Sequence, residues 1–190
     1  PNVLQFIEKG VYSSDDNYPY LVTRFIDGNM VSEPLSKGRI FTLEMALSIT
    51  KSILKGVSHM HSLGLIHNDI TPRNILYNAK ELSKTTLIDL GHVSSIGSKK
   101  ITFNTLDLTP FYRAPETYNN TFDIRSDIFS IAAVLYAMLF GKAPWYGSHI
   151  EEDEFCYALV KDLMSDRISF SGGVDKCPSW LQSILKLCLS

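Results

Sequence analysis

The spacing of apolar residues changes along the chain, and each change marks an element. Up to Gly28, two runs rich in β-branched and aromatic residues, "NVLQFIEKGVY" and "YPYLVTRFIDG", flank the turn formers "SSDDN". They predict two antiparallel strands with no helix between them. "NMVSEPLSKGR" then reads as a polar connector broken by Pro34 and Gly38. From Thr42, a predicted N-cap, the apolar positions Met45, Ile49, Ile53, Val57 and Met60 recur at spacings of three and four. That is the period of a helix burying one face, with Gly64 as its stop. Between Gly64 and Gly91 the pattern shortens to β-like pieces, "LIH", "NILYN" and "TTLIDLG". The stretch "HVSSIGSKKITFNTLDL" has no period, and loops of that length inside a domain are usually functional or mobile. A helix apolar on nearly every side is expected from about Arg125 to Phe140, closed by Gly141 and Pro144. Two amphipathic helices are expected near 151–165 and 178–189.

Composition adds exclusions. The chain has 190 residues, 45% hydrophobic and 20% charged, enough for one sizeable core or two small lobes. A net charge of −2 with interspersed signs provides no basic stripe for nucleic acid and no polybasic run for anionic lipid. Cys156, Cys177 and Cys188 are widely spaced and odd in number, so neither a disulfide framework nor a zinc site is expected. Reduced thiols and a cytoplasmic location follow as expectations. The longest apolar run, "IFSIAAVLYAMLF", is shorter than the roughly 20 residues of a membrane span. Pro1 to Gly10 lacks the basic and apolar regions of a signal peptide.

Candidate chemistry concentrates in "GLIHNDITPRNILYN", residues 64–78, where Asp69 and Asn74 stand five residues apart between apolar neighbours. A lone Asp in a Pro-containing loop is ordinarily a turn former. Asp89 ends the apolar "TTLI", and a carboxylate there must be hydrogen-bonded, paired or metal-bound, because burying a bare charge is very costly. Asn74 and Asp89 together provide hard oxygen ligands, which suit Mg²⁺ better than zinc. Asp127, at the start of the apolar helix, is either a first-turn acid favoured by the helix dipole or an anchor for backbone N–H groups of the 67–74 loop.

These residues resemble the eukaryotic-type protein kinases, chiefly their C-terminal lobe. "HNDITPRN" is similar to the catalytic loop HRDxxxxN, "DLG" at 89–91 to the DFG metal motif, and "APE" at 114–116 to the end of the activation segment. "SDIFSIAAVLYAMLFGKAPW" is similar to the family's buried F helix. The resemblance implies an α+β protein-kinase-like fold: a mostly helical C-lobe over 29–190, truncated before its last helix, and a remnant of the N-lobe sheet over 1–28. It also implies an ATP-dependent, Mg²⁺-requiring serine/threonine kinase acting on a protein hydroxyl. Asp69 would orient that hydroxyl and take its proton, while Asn74 and Asp89 would hold Mg²⁺. Thr23 would stand as gatekeeper, with Arg24, Phe25 and Ile26 presenting backbone groups to adenine and Leu76 lining the pocket; read alone, Thr23 is a plain strand residue. Thr109 would bond the catalytic Asp and favour Ser/Thr acceptors. His67, Leu90, Gly91, Glu116 and Asp127 would be structural.

The chain departs from the family pattern at several positions. Asn68 stands where an arginine usually clamps a phosphorylated loop, and Thr71 where a lysine usually meets the transferred phosphate. Leu108 and Ala132 each replace a glycine. The resemblance places the glycine-rich loop, the N-lobe lysine and the regulatory-helix glutamate before Pro1, and an arginine partner for Glu116 after Ser190. The 190 residues alone are therefore expected to transfer phosphate poorly. Two other readings stay open: a pseudokinase acting as scaffold or allosteric partner, and a kinase-like small-molecule phosphotransferase.

Overall fold

The computed structural model describes residues 2–12, 18–98, 110–145, 168–171 and 177–190. Strands β1 (Phe6–Tyr12) and β2 (Tyr18–Thr23) pair antiparallel, as their β-rich runs predict, from Phe6 opposite Thr23 to Tyr12 opposite Tyr18. β3 (Asn29–Met30), β5 (Ile75–Tyr77) and β6 (Thr86–Leu87) form a three-stranded sheet in the order β3-β5-β6. β4 (Leu65–Ile66) pairs with β7 (Ser94–Ser95). The helices are α1 (Ser32–Ser36), α2 (Leu43–Ser62), α3 (Ile124–Phe140) and α4 (Ser179–Cys188). Mixed helices and small antiparallel sheets agree with the expected α+β class. The helix expected near 151–165 lies outside the described residues.

One segment corrects the sequence reading. "NMVSEPLSKGR" is more than a connector: it contains β3 and α1. Met30 N–H donates to the Glu33 carboxylate at 3.3 Å, and Val31 N–H donates to the Ile75 carbonyl at 3.0 Å. The partner strand lies some 45 residues away in sequence, so no local pattern reveals the pairing.

The core is built on α2 and α3. The Thr42 hydroxyl accepts the Met45 N–H at 3.3 Å, capping α2, and Ile49, Ile53, Val57 and Met60 are buried along one face. Gly64 takes φ +74°, a left-handed conformation that glycine adopts without steric cost. In α3 every residue from Phe129 to Phe140 is buried, which is what a helix apolar all round requires. Phe41 N–H donates to the Met138 carbonyl at 2.8 Å, seating the entry of α2 on α3, and Phe129 stacks on Trp145 at 5.7 Å.

Asp123 starts α3 with a reciprocal capping box to Ser126, accepting the Arg125 N–H at 2.6 Å. Hydrogen bonding from the Arg125 side chain is the main cause holding the Asp123 carboxyl below its usual range. A folded-state pKa below the unfolded one stabilises the fold above the ordinary carboxylate pKa, about 3.9, and that contribution disappears as pH falls through the folded value. The melting-temperature gap between wild type and Asp123→Ala is therefore expected to be wider at pH 7 than at pH 3.

The segment before β1 crosses α2 and joins the sheet edge. Leu4 N–H donates to the Leu87 carbonyl, Leu87 N–H donates to the Asn2 carbonyl, and the Asn2 amide donates to Ser83 and Thr85 carbonyls. This crossing needs Gly56, where an added Cβ would lie 2.7 Å from the Asn2 carbonyl oxygen. In Gly56→Ala the gain in helix propensity, about 1 kcal/mol, opposes an overpacking cost of about 1–3 kcal/mol. A net loss of up to about 2 kcal/mol is expected, with faster hydrogen exchange at the Leu4 and Leu87 amides.

Candidate active site

The 67–74 loop leaves β4 and returns into β5, and its path is fixed from below by α3. The Asp127 carboxylate, 0% exposed, accepts the His67 N–H at 3.0 Å, the Asn68 N–H at 3.0 Å and the His61 Nε2 at 2.8 Å. Three donors around a fully buried acid meet the condition under which burying its charge is tolerable. His61 was not among the candidates read from the sequence, where it looks like an ordinary last-turn histidine of α2. Ile66, Ile70 and Ile75 are buried and anchor the loop on the core.

Above this anchor, Asn68 adopts φ +67°, a left-handed conformation that Asn tolerates better than most residues. Its amide donates to the His92 carbonyl at 2.6 Å and to the Ser94 hydroxyl at 2.9 Å. The residue that stands in place of an arginine thus fastens the segment after "DLG" directly, with a side chain too short to suggest it. His67 is fully buried, and burial pushes its imidazole below its usual range against the opposing charge of Asp127. The ring is held neutral near pH 7, and its Nδ1 accepts the Asp69 N–H at 3.3 Å.

Asp69 and Asn74 are brought together: the Asn74 amide donates to the Asp69 carbonyl at 2.9 Å and to Asp69 Oδ2 at 2.7 Å. The 3-10 turn Pro72–Asn74 closes the loop so that this contact forms. Burial raises the Asp69 carboxyl above its usual range, opposed first by His92 and then by the Asn74 hydrogen bond. A carboxyl pushed upward is a stronger base than a free one, which suits a proton acceptor.

Asp89 follows directly on this arrangement, because Ile88 N–H donates to the Asn74 carbonyl at 2.8 Å. Asp89 is left-handed, with φ +61°, and its Oδ1 accepts the Gly91 N–H at 3.1 Å. With its NH₂ committed to Asp69, Asn74 has its carbonyl oxygen to offer a cation, and Asp89 has its second oxygen. Two hard oxygens fit Mg²⁺. Among the described residues no group of three or more His, Cys, Asp or Glu side chains is arranged to hold a metal ion, so a softer metal has no set of ligands there.

The remaining candidates are more scattered. Thr23 ends β2 half-buried, Ile26 and Leu76 are half-buried, and Arg24 and Phe25 are exposed. Arg24 N–H is already used by the Gln5 carbonyl at 2.9 Å. A cavity of about 550 Å³ runs along Arg24, Phe25, Ile26 and Asp27 toward Asn78 and Lys84, and Thr23, Leu76 and Asp89 do not line it. Leu90 and Gly91 are exposed. Glu116 is half-buried and accepts the Ser126 hydroxyl at 2.8 Å, so α3 gives it a neutral donor. Thr109, Leu108 and Cys156 lie outside the described residues; Cys177 and Cys188 are free thiols. Arg113, missed from the sequence, is buried with its Nε donating to the Thr117 hydroxyl at 2.7 Å. No helix among the described residues is long and apolar enough to cross a membrane.

Comparison with known proteins gives matches along the whole chain. The family model described as "Protein kinase domain" matches residues 1–190. The chain is 28% identical over 167 residues to "Serine/threonine-protein kinase TIO" of Arabidopsis thaliana, covering 87% of this chain and 12% of that protein. It is 31% identical over 172 residues to "Calcium-dependent protein kinase 4" of Plasmodium falciparum, covering 89% of this chain and 30% of that protein. The protein of the same name from Plasmodium berghei is 30% identical over the same shares. The chain spans less than a third of each of these relatives.

Proposed function

The chain belongs to the protein kinase domain family, and from that premise we propose that it transfers the γ-phosphate of ATP to serine or threonine hydroxyls of a protein substrate. The observation that carries this reading is the coupling of three groups: Asn74 bonded to Asp69 Oδ2, and Ile88, the residue before Asp89, bonded to the Asn74 carbonyl. A proton acceptor and two hard oxygen donors are thereby held on adjoining segments, an arrangement suited to phosphoryl transfer by positioning and charge neutralisation.

In this reading Asp69 Oδ1 faces the acceptor hydroxyl, orients it and takes its proton. Asn74 and Asp89 hold the metal, and Mg²⁺ when bound neutralises charge on the phosphates. His67 and Asp127 fix the loop that presents Asp69. Thr23 to Ile26 and Leu76 form the nucleotide side of the cleft. Preference for Ser or Thr rests on "LTPFYRAPE" and on the printed name of the Arabidopsis relative. Residues 1–28 are read as the end of a smaller lobe. Their hairpin leaves Phe6, Ile7, Val11, Tyr12 and Leu21 exposed, and a lone two-stranded hairpin is marginally stable in water.

A non-catalytic scaffold is the second reading, favoured by Thr71 where a cation is usual. The test is incubation of the full-length protein with labelled ATP, Mg²⁺ and dephosphorylated casein, followed by identification of the labelled amino acid. Phosphoserine or phosphothreonine is expected. Label on tyrosine alone would overturn the proposed specificity, and nucleotide binding without transfer would favour the scaffold.

A further inference from the structure

Of the 67–74 loop only Arg73 is exposed. Its neighbours Thr71, Pro72, Asn74 and Ile75 are buried, since the 3-10 turn Pro72–Asn74 seats them on the core and turns this one side chain outward. A long cation on a surface loop is ordinarily a solvated residue that adds little to stability. Arg73 differs in what surrounds it. It adjoins Asn74, whose amide holds Asp69 Oδ2 at 2.7 Å, so its Cα is only about 3.8 Å along the chain from the residue that positions the proton acceptor. It also faces the segment 110–113: burial pushes the Tyr112 hydroxyl up to about 12, and the positive charge of Arg73 opposes that push. Tyr112 and Arg113 in turn line one narrow crevice with Asp69 and Thr71. Among the described residues no carboxylate forms an ion pair with Arg73. A peptide that lays its hydroxyl on Asp69 therefore passes a guanidinium that has no acid of its own there.

We propose that Arg73 is a specificity-determining residue that binds an aspartate or glutamate side chain of the protein substrate, within about three residues of the acceptor hydroxyl at about 3.3 Å per extended residue. The substrate class is then serine or threonine in acidic surroundings, which deepens the kinase reading and rests on Asp69 as proton acceptor. The planar guanidinium can fork a carboxylate through two parallel hydrogen bonds. In the free protein it stays hydrated, and the pair loses water only when the peptide covers it. The same charge repels a basic flank, so attraction and repulsion act in one direction. A net charge of −2 gives the chain no general attraction for acidic peptides, so the preference has to come from a local cation.

The test measures kcat/KM of the full-length protein with Mg-ATP on peptides that carry a single serine flanked on both sides by glutamate, alanine or lysine. The wild type should favour the glutamate peptide over the alanine peptide by about tenfold or more, the size of one charge-assisted hydrogen bond, and should use the lysine peptide least. Arg73→Glu should invert that order, with KM for ATP within about twofold of wild type. Arg73→Lys should keep the order with a smaller ratio, because a compact ammonium lacks the fork. A wild type indifferent to the flanks, an Arg73→Glu variant with the wild-type order, or a loss equal on all peptides would each overturn the proposal while leaving the kinase reading intact. So would a raised KM for ATP with the order of peptides retained, which would assign the guanidinium to the nucleotide phosphates. Absence of transfer by the wild type to every peptide and to dephosphorylated casein would overturn the kinase reading, and this proposal with it. Should Arg73→Glu melt well below wild type, Arg73→Gln takes its place. The glutamate peptide should then fall to the level of the alanine peptide, and a retained advantage would overturn the proposal.

Discussion

Asp69→Asn in the full-length protein is expected to lower phosphate transfer to casein by about 100- to 10,000-fold, the range for loss of a positioned general base. The amide keeps the shape of the carboxylate and remains within reach of the Asn74 amide and the buried loop, but it cannot take the hydroxyl proton. Binding of Mg-ATP should be nearly unchanged. Stability provides a second readout of opposite sign. Burial raises the Asp69 carboxyl above its usual range, so at neutral pH its ionised form is a burden on the fold rather than a support. The variant should therefore melt at or above the wild-type temperature. A residue kept at a cost to stability and needed for rate is the pattern of a functional site. Equal transfer by wild type and variant would remove Asp69 from the chemistry. Loss of transfer together with a lowered melting temperature would assign it a structural role instead.

What the sequence revealed follows from how local each cause is. The period of Met45, Ile49, Ile53 and Val57 and the cap at Thr42 are written within one helix, and α2 lies where they indicate. The apolar run of α3 is equally local, and its burial agrees with its composition. β3 and α1 were illegible because β3 exists through pairing with β5, far along the chain. Likewise His61 meets Asp127 across 66 residues, and nothing around either one in sequence signals the other. Asn68 read as a loss because only the arginine was missing from the pattern. Its gain, a left-handed backbone and two hydrogen bonds to the next segment, is visible only in three dimensions.

Asp127→Ala is expected to cost about 3–5 kcal/mol of stability, the range for breaking a buried charged network by removing one partner. The carboxylate is the acceptor for two buried backbone N–H groups and one histidine, and Ala at this position leaves all three without it. With a urea dependence of about 1–3 kcal/mol per molar for a small domain, the midpoint should fall by about 1–5 M. Asp127→Asn should be intermediate: Oδ1 accepts from Asn68, Oδ2 from His67 and His61, and whichever site the NH₂ takes would face a donor with a donor. His61→Ala should cost less than either, since its ring is partly exposed, at 16%, and leaves both backbone bonds in place. Under conditions where Asp127→Asn stays folded, transfer should still fall by about 100-fold, because loosening the His67–Asn68 backbone displaces Asp69 and misplacement of about 1 Å is enough for that loss. Stability and rate would then decline together in the order His61→Ala, Asp127→Asn, Asp127→Ala. If instead Asp127→Ala melted with the wild type, the loop would owe its path to its own buried isoleucines and left-handed Asn68, and α3 would serve only as its floor.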